Sequence, residues 1–178
     1  MSKIIKDGDI VEDDWNYIDP PRDFHTVTPT TVTPQPPCTG GAAIPAAIVS
    51  LDHWLSQRTQ LLAEISPVGI WLEGHVDVSL VVDDLPFFDV IAIYFPSFSD
   101  GRGFSLGNQL RERYTFQGEL RAIGNLLPDQ MYYLHRCGFN AVDVTNPKDL
   151  HLAREALMDF SNNYQESWGE DKPIFRRR

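Results

Sequence analysis

Val90-Ile-Ala-Ile-Tyr-Phe-Pro-Ser-Phe-Ser-Asp-Gly-Arg-Gly-Phe-Ser105 is the stretch on which the fold turns. It starts as an almost unbroken apolar run of strand length, the pattern of a strand covered on both faces. Pro96 stops the strand, Asp100-Gly101 favours a tight turn, and Ser105 can cap a helix whose Leu106, Leu110 and Tyr114 share one face. Strand, loop and helix make the first half of a crossover, and the same grammar recurs. Val68–Leu72, Leu120–Gly124 and Phe139–Val144 read as further strands, each followed by a segment that can be helical. Their starts lie too far apart for hairpins and suit right-handed crossovers, so the four strands are expected to run parallel.

Asn125, with Pro128 tolerated in the first turn, opens a helix that Gly138 closes, and Asn146-Pro147 opens the last one, with Leu150, Ala153, Leu157 and Phe160 facing inward. Upstream, Ser50 caps a helix reaching about Ile65, its buried stripe made by Leu51, Trp54, Leu55, Leu61, Leu62 and Ile65. Ile4–Val11 folds around Asp7-Gly8 as a hairpin too short to stand alone. Between them, Pro20, Pro21, Pro29, Pro34, Pro36, Pro37 and Pro45 block helix and central strand.

The expected organisation is a hairpin arm (1–18), a Pro/Thr-rich linker (19–47), an α/β domain (48–165) and a basic tail (166–178) ending in Arg176-Arg177-Arg178. The fold class is α/β, a four-stranded parallel sheet with crossover helices. The favoured form is an open doubly wound sheet completed by the hairpin. The alternative is a half-barrel-like unit whose exposed edges call for a partner chain, so a homo-oligomer is expected.

At 178 residues and 42% apolar content the chain can bury the core of one domain. A formal net charge of −10 argues against nucleic acid as a partner, because affinity for a polyanion comes from Lys and Arg. The first eight residues, Met-Ser-Lys-Ile-Ile-Lys-Asp-Gly, form neither a signal peptide nor a membrane span, which places the protein in the cytoplasm as an expectation. Cys38 and Cys137 lie in unrelated contexts, too few for an iron–sulfur cluster or a zinc site. The histidines show no metal-ligand spacing, so no metal is expected.

Ligands of parallel sheets bind at the carboxyl ends of the strands, which singles out the loop after Phe95. Its Ser99, Asp100, Gly101, Arg102, Gly103 and Ser105 combine hydroxyl donors, a fork-shaped cation and a helix start. Together with Arg121 they fit a small oxyanion such as sulfite, sulfate or phosphate. The competing reading is that Asp100 and Ser105 only cap the helix while Arg102 points into water. Asp100, Asp129 and His75 are the candidate acids or bases, His75 because it follows a strand beside Glu73. Gly101, Gly103 and Gly107 imitate a dinucleotide motif, but the strand ends five residues too early and no acid follows the next strand. Cys137, at a helix end, reads as a buried structural thiol.

Four ordered blocks carry a family resemblance. Phe95–Ser105, Leu110-Arg-Glu-Arg-Tyr114, Gly118-Glu-Leu-Arg-Ala-Ile-Gly124 and Asp129-Gln-Met-Tyr-Tyr-Leu-His-Arg-Cys-Gly-Phe139 resemble a bacterial domain of unknown function. That domain is encoded beside assimilatory sulfite reductase and labelled an oxidoreductase of sulfite reduction. Weaker similarity touches Ile4-Ile5, Trp15, Trp54-Leu55 and Val68–Leu72. The resemblance implies a role in sulfate assimilation, with sulfite reductase or another enzyme of that route as partner. It implies neither catalytic residues nor a cofactor, and the sequence holds no motif for flavin, nicotinamide, siroheme or an iron–sulfur cluster. Phe104 stands where tyrosine is usual and Asn140 where aspartate is usual, so no tyrosine at position 104 is there to carry a proton.

Overall fold

Asp7 and Gly8 both take positive φ, 50° and 85°, the requirement of the tight turn whose twist matches flanking strands. They join β1 (Ser2–Lys6) to β2 (Asp9–Asp13) in antiparallel register, Ile4 opposite Val11. The computed structural model describes residues 2–21, 46–144, 146–157 and 168. Most of the Pro/Thr linker, Cys38, Phe160 and the basic tail fall outside the described residues.

Six more strands follow: β3 (Asn16–Ile18), β4 (Ala47–Ser50), β5 (Val68–Glu73), β6 (Phe88–Phe95), β7 (Glu119–Gly124) and β8 (Ala141–Val142). Between them run α1 (Leu51–Glu64), α2 (Arg102–Glu112), α3 (Met131–Arg136) and, after β8, α4 (Leu150–Ala156). All eight strands form one sheet in the order β2-β1-β8-β7-β6-β5-β4-β3. From β3 to β8 every pairing is parallel, while the hairpin adds to β8 antiparallel through Ile5 and Val142. The sheet therefore has two strands, β3 and β4, beyond the four parallel strands and the hairpin expected, and it is not doubly wound.

Strand order from β3 to β8 follows chain order without a reversal, and same-handed crossovers then place every helix on one face. Packing agrees: Trp54 and Leu61 of α1, Leu106 and Leu110 of α2, Leu134 of α3 and Ala153 of α4 share one core with Ile70, Ile91, Ile93 and Leu120. Curling follows from chain connectivity. Only Asp14 and Trp15 separate β2 from β3, yet these strands are the two edges of the sheet. Three Cα–Cα steps of ~3.8 Å bring the edges within about 11 Å at that corner. The result is a half-barrel with helices outside and a second side-chain cluster inside, made by Tyr17, Ile48, Val90, Ala92 and Ile123.

Local signals explain the helices. Ser50 Oγ accepts from the His53 amide at 3.2 Å, capping α1, and Trp54 stacks edge-on to Phe88 with centroids 4.6 Å apart. Gly138 at φ 92° ends α3, and Asn146 Oδ1 accepts from the Lys148 amide ahead of α4. Ser105 differs from expectation: α2 starts at Arg102, so Ser105 sits exposed in its first turn and caps nothing. The chain turns into helix earlier because Asp100 Oδ1 accepts the Arg102 amide at 3.1 Å.

The glycines of α2 serve close packing. A Cβ on Gly103 would lie 2.6 Å from the Phe95 ring and one on Gly107 2.4 Å from the Phe139 ring, whereas Gly101 faces open space. Gly107→Ala is expected to destabilise the chain by about 2 kcal/mol, since the overpacking penalty exceeds the better helix propensity of alanine. Chemical denaturation measures it; an unchanged midpoint would mean that the Phe139 ring yields freely.

Candidate functional site

Glu73, at the end of β5, and Phe95, at the end of β6, deliver their loops to the same rim of the half-barrel. The loops touch: a Cβ on Gly74 would stand 2.8 Å from the Gly103 nitrogen, so only glycine admits α2 this close. The loop after Phe95 is cross-tied internally. Ser97 and Ser99 hydroxyls lie 3.0 Å apart, and the Asp100 amide donates to Ser97 O.

Arg102 closes back on the same loop. Its Nε donates to Asp100 Oδ1 at 2.9 Å and its Nη2 to Oδ2 at 2.6 Å, a two-pronged clasp. Hydrogen bonds from the Arg102 side chain and amide hold the Asp100 carboxyl down to about 2, so it stays ionised. The Arg102 side chain is nevertheless 59% exposed. Beside it, His75 Nδ1 lies 3.1 Å from Glu73 Oε2, and the field of each pair reaches the other. Asp129 stands exposed on the neighbouring Pro128–Gln130 turn, which Gln130 Nε2 ties to Phe98 O at 2.9 Å. Ser99, Asp100, Gly101, Arg102, Gly103, Ser105, His75 and Asp129 are thus gathered at one rim.

Arg121 is elsewhere. Its side chain is 1% exposed and points inside the curl, on the face opposite α2. Nε donates to Glu119 Oε1 at 2.7 Å, and Nη1 donates to Asp13 Oδ2 at 3.0 Å and to the Tyr17 hydroxyl at 3.5 Å. Lys6 completes the group with Nζ 2.8 Å from Glu119 Oε2. Burial raises the Asp13 pKa, with Arg121 opposing. Asp143, just past β8, is pushed up to about 7 by burial, against the pull of Arg121 and with a push from Asp13. Sequence reasoning missed Lys6, Asp13, Tyr17, Glu119 and Asp143. The available signal was Glu119-x-Arg121, two charges on one face of a buried strand.

Arg111, another motif arginine, is a structural hub. It donates from Nε to Gly138 O at 2.9 Å, from Nη1 to Phe116 O and to Gly118 O, and from Nη2 to Asn140 Oδ1 at 3.1 Å. Asn140 Oδ1 also accepts the Leu120 amide, and its Nδ2 donates to Asp7 Oδ1, joining the hairpin to the sheet. The asparagine at this position supplies a donor that an aspartate would lack. Phe104 lies between Phe95 and Tyr133, with centroids 5.1 and 4.8 Å away. Cys137 is buried, and that burial raises its thiol pKa.

Residues 69–175 match the family model described as "Bacterial protein of unknown function (DUF934)". The chain belongs to that family. No curated protein matches the chain. The family segment begins inside β5 and contains the whole Asp100–Ser105 loop, the Arg111 hub, Glu119, Arg121 and Asp143. Lys6, Asp13 and Tyr17 precede it, so the interior cluster joins the family segment to residues outside the match. Among the described residues, no group of three or more His, Cys, Asp and Glu side chains could hold a metal ion. No helix among them is long and apolar enough to cross a membrane.

Proposed function

We propose that this DUF934 member is a cytoplasmic accessory protein of assimilatory sulfite reduction that holds a small oxyanion at the Asp100–Ser105 loop. The pathway part rests on the four-block resemblance. The observation that carries the site is the Arg102 side chain, 59% exposed at the carboxyl-end rim, its guanidinium clasped by a carboxylate two residues away. A tetrahedral or pyramidal oxyanion presents the same two-oxygen edge as Asp100 and can take over the fork. Ser97 and Ser99 hydroxyls stand on the same loop to hold a third oxygen. Because Asp100 stays ionised and competes for Arg102, binding is expected to be weak and to fall with salt.

Titration calorimetry with sulfite tests the site: Arg102→Ala is expected to lose the binding heat while its melting temperature stays within a few degrees, as for an exposed residue. Growth of a deletion strain tests the pathway. A defect on sulfate that sulfide cures supports it, and equal growth on both removes the assignment.

A second reading is an interaction protein without catalysis, working as a homo-oligomer or on a sulfate-assimilation enzyme. It is favoured by the exposed apolar side chains Phe98, Leu127 and Tyr133 beside the same loop. An Arg102→Ala strain that keeps full activity while a Phe98→Ser, Tyr133→Ser strain loses it would select this reading over the first.

A further inference from the structure

β2 is the outermost strand at one end of the sheet, and among the described residues it pairs only with β1. Register fixes which of its backbone groups are used. On β1, Ile5 pairs with Val142 of β8, and the Asp7 amide just beyond the strand donates to Asn140 O at 2.8 Å, so the backbone groups of the odd positions turn to β8. Those of Ser2, Ile4 and Lys6 turn to β2, where Asp13, Val11 and Asp9 meet them. The amides and carbonyls of Ile10 and Glu12 therefore face away from the sheet. None of these four groups meets a partner among the described residues.

The edge is held in place from the helix side. Arg154 of α4 donates to Gly8 O at 2.9 Å and reaches Asp9 Oδ1 at 3.3 Å, and Ile10 packs against the helix-side core. The edge is also acidic. Asp7, Asp9, Glu12, Asp13 and Asp14 fall within a stretch of eight residues, 7–14, that holds no lysine or arginine, and all but Asp13 are exposed. A preorganised strand with free donors and acceptors is a docking edge, and its side chains decide what can dock.

We propose that the outer edge of β2 takes up an extended segment of another protein as an added strand, the segment carrying a basic residue on each side of an apolar pair. β1 already displays that code on the inner edge. Lys3-Ile-Ile-Lys6 lies antiparallel to Asp9-Ile-Val-Glu12, with Lys3 opposite Glu12 and Lys6 opposite Asp9. Side chains stand perpendicular to a sheet, so a strand on the outer edge meets the same two acids and the same apolar pair. A second copy fits worse. The two-fold pairing that satisfies the same four backbone groups centres on Val11 and sets Asp9 opposite Asp13, with the acidic stretches of two chains of net charge −10 side by side. The edge shares no residue with the Asp100–Ser105 loop, so it stands apart from the oxyanion reading.

Amide NMR of the full chain with the blocked peptide Gly-Ser-Lys-Ile-Ile-Lys-Ser-Gly tests the edge. With peptide at about ten times its Kd, hydrogen exchange of the Ile10 and Glu12 amides is expected to slow about tenfold, since both exchange only from the free form. The Val11 amide, already turned to Ile4, changes little. Glutamates in place of both lysines should remove binding, and Glu12→Lys should weaken the lysine peptide about fivefold or more. Glu12→Pro deletes an outward donor that β1 does not use, so it is expected to abolish binding while the hairpin stays paired.

A lysine peptide that leaves both amides unchanged at its solubility limit overturns the proposal. So does a glutamate peptide that protects them equally, because charge would then not select the occupant, and so does a folded Glu12→Pro chain that binds undiminished. Protection of Ile10 and Glu12 before any peptide is added also overturns it: protection that grows with protein concentration gives the edge to a second copy, and protection that does not gives it to another part of the same chain. Should the proline variant unfold, Glu12→Lys and the two peptides decide by themselves.

Discussion

Arg111→Ala is expected to lower the stability of the chain by about 4 kcal/mol, the largest effect of any single exposed-or-buried arginine outside the interior cluster. The reason is the number of acceptors that lose their donor together. Gly138 O, Phe116 O, Gly118 O and Asn140 Oδ1 all turn toward one guanidinium, and each buried acceptor left alone costs about 1–3 kcal/mol. Asn140 is partly spared because the Leu120 amide still reaches it. The guanidinium also stacks on the Phe116 and Trp168 rings at 5.5 Å, contacts that alanine cannot replace. Arg111→Lys separates charge from geometry. One ammonium cannot span acceptors spread from residue 116 to residue 140, so lysine is expected to recover less than half of the loss. Urea unfolding of the three proteins decides the matter; a lysine variant as stable as the wild type would show that the fork is dispensable.

The position of Arg111 also explains why a motif can be legible while its meaning is not. Leu110-Arg-Glu-Arg, Gly118 and Gly138 look like scattered blocks in the sequence, and the arginines look like anion ligands. In the fold they are one clasp: a Cβ on Gly138 would lie 2.4 Å from Arg111 Cγ, so the glycine clears the path for the side chain. Periodicity reveals which face of a helix is buried. It says nothing about which carbonyls, far along the chain, a buried cation will meet.

The same limit governs the sheet. β5, β6, β7 and β8 were legible because each has an apolar run bounded by turn residues and followed by a helix. β4 was hidden by its own end: Ser50 is both its last residue and the cap of α1, so between a linker ending at 47 and a helix capped at Ser50 only Ile48-Val49 was left, too short to read as a strand. β3 has three residues and finds its partner only across the Pro/Thr stretch, Asn16 against Ala47. With these two strands missing, chain order could not be seen to run unbroken, and a doubly wound sheet looked as reasonable as a curl. The loop at the rim was placed correctly because strand ends are a local property. Arg121 is near that loop only in sequence: alternation along β7 puts it with Glu119 on the other face, and its partner Asp13 lies 108 positions away.

That distant partnership makes Arg121→Met a large perturbation: a loss of about 4 kcal/mol near neutral pH is expected, in the range for breaking a buried pair from one side. Methionine fills much of the volume, so the loss reports charge more than cavity. Asp13 and Glu119 would be left buried, with Lys6 the remaining cation of the group to meet them. The Asp13 pKa, already raised by burial and held back by Arg121, must then climb further in the folded variant, and stability present at low pH disappears as pH climbs through the raised value. The deficit relative to the wild type should therefore shrink by about half at about pH 4.5, where protonation removes the uncompensated charge. Adding Asp13→Asn to Arg121→Met tests the account independently. If the unpaired carboxylate is the cause, the double variant is more stable than Arg121→Met near pH 7 and nearly equal to it in acid. A deficit that ignores pH, or a double variant weaker than the single, would locate the loss in packing and leave the interior charges without a role in closing the sheet.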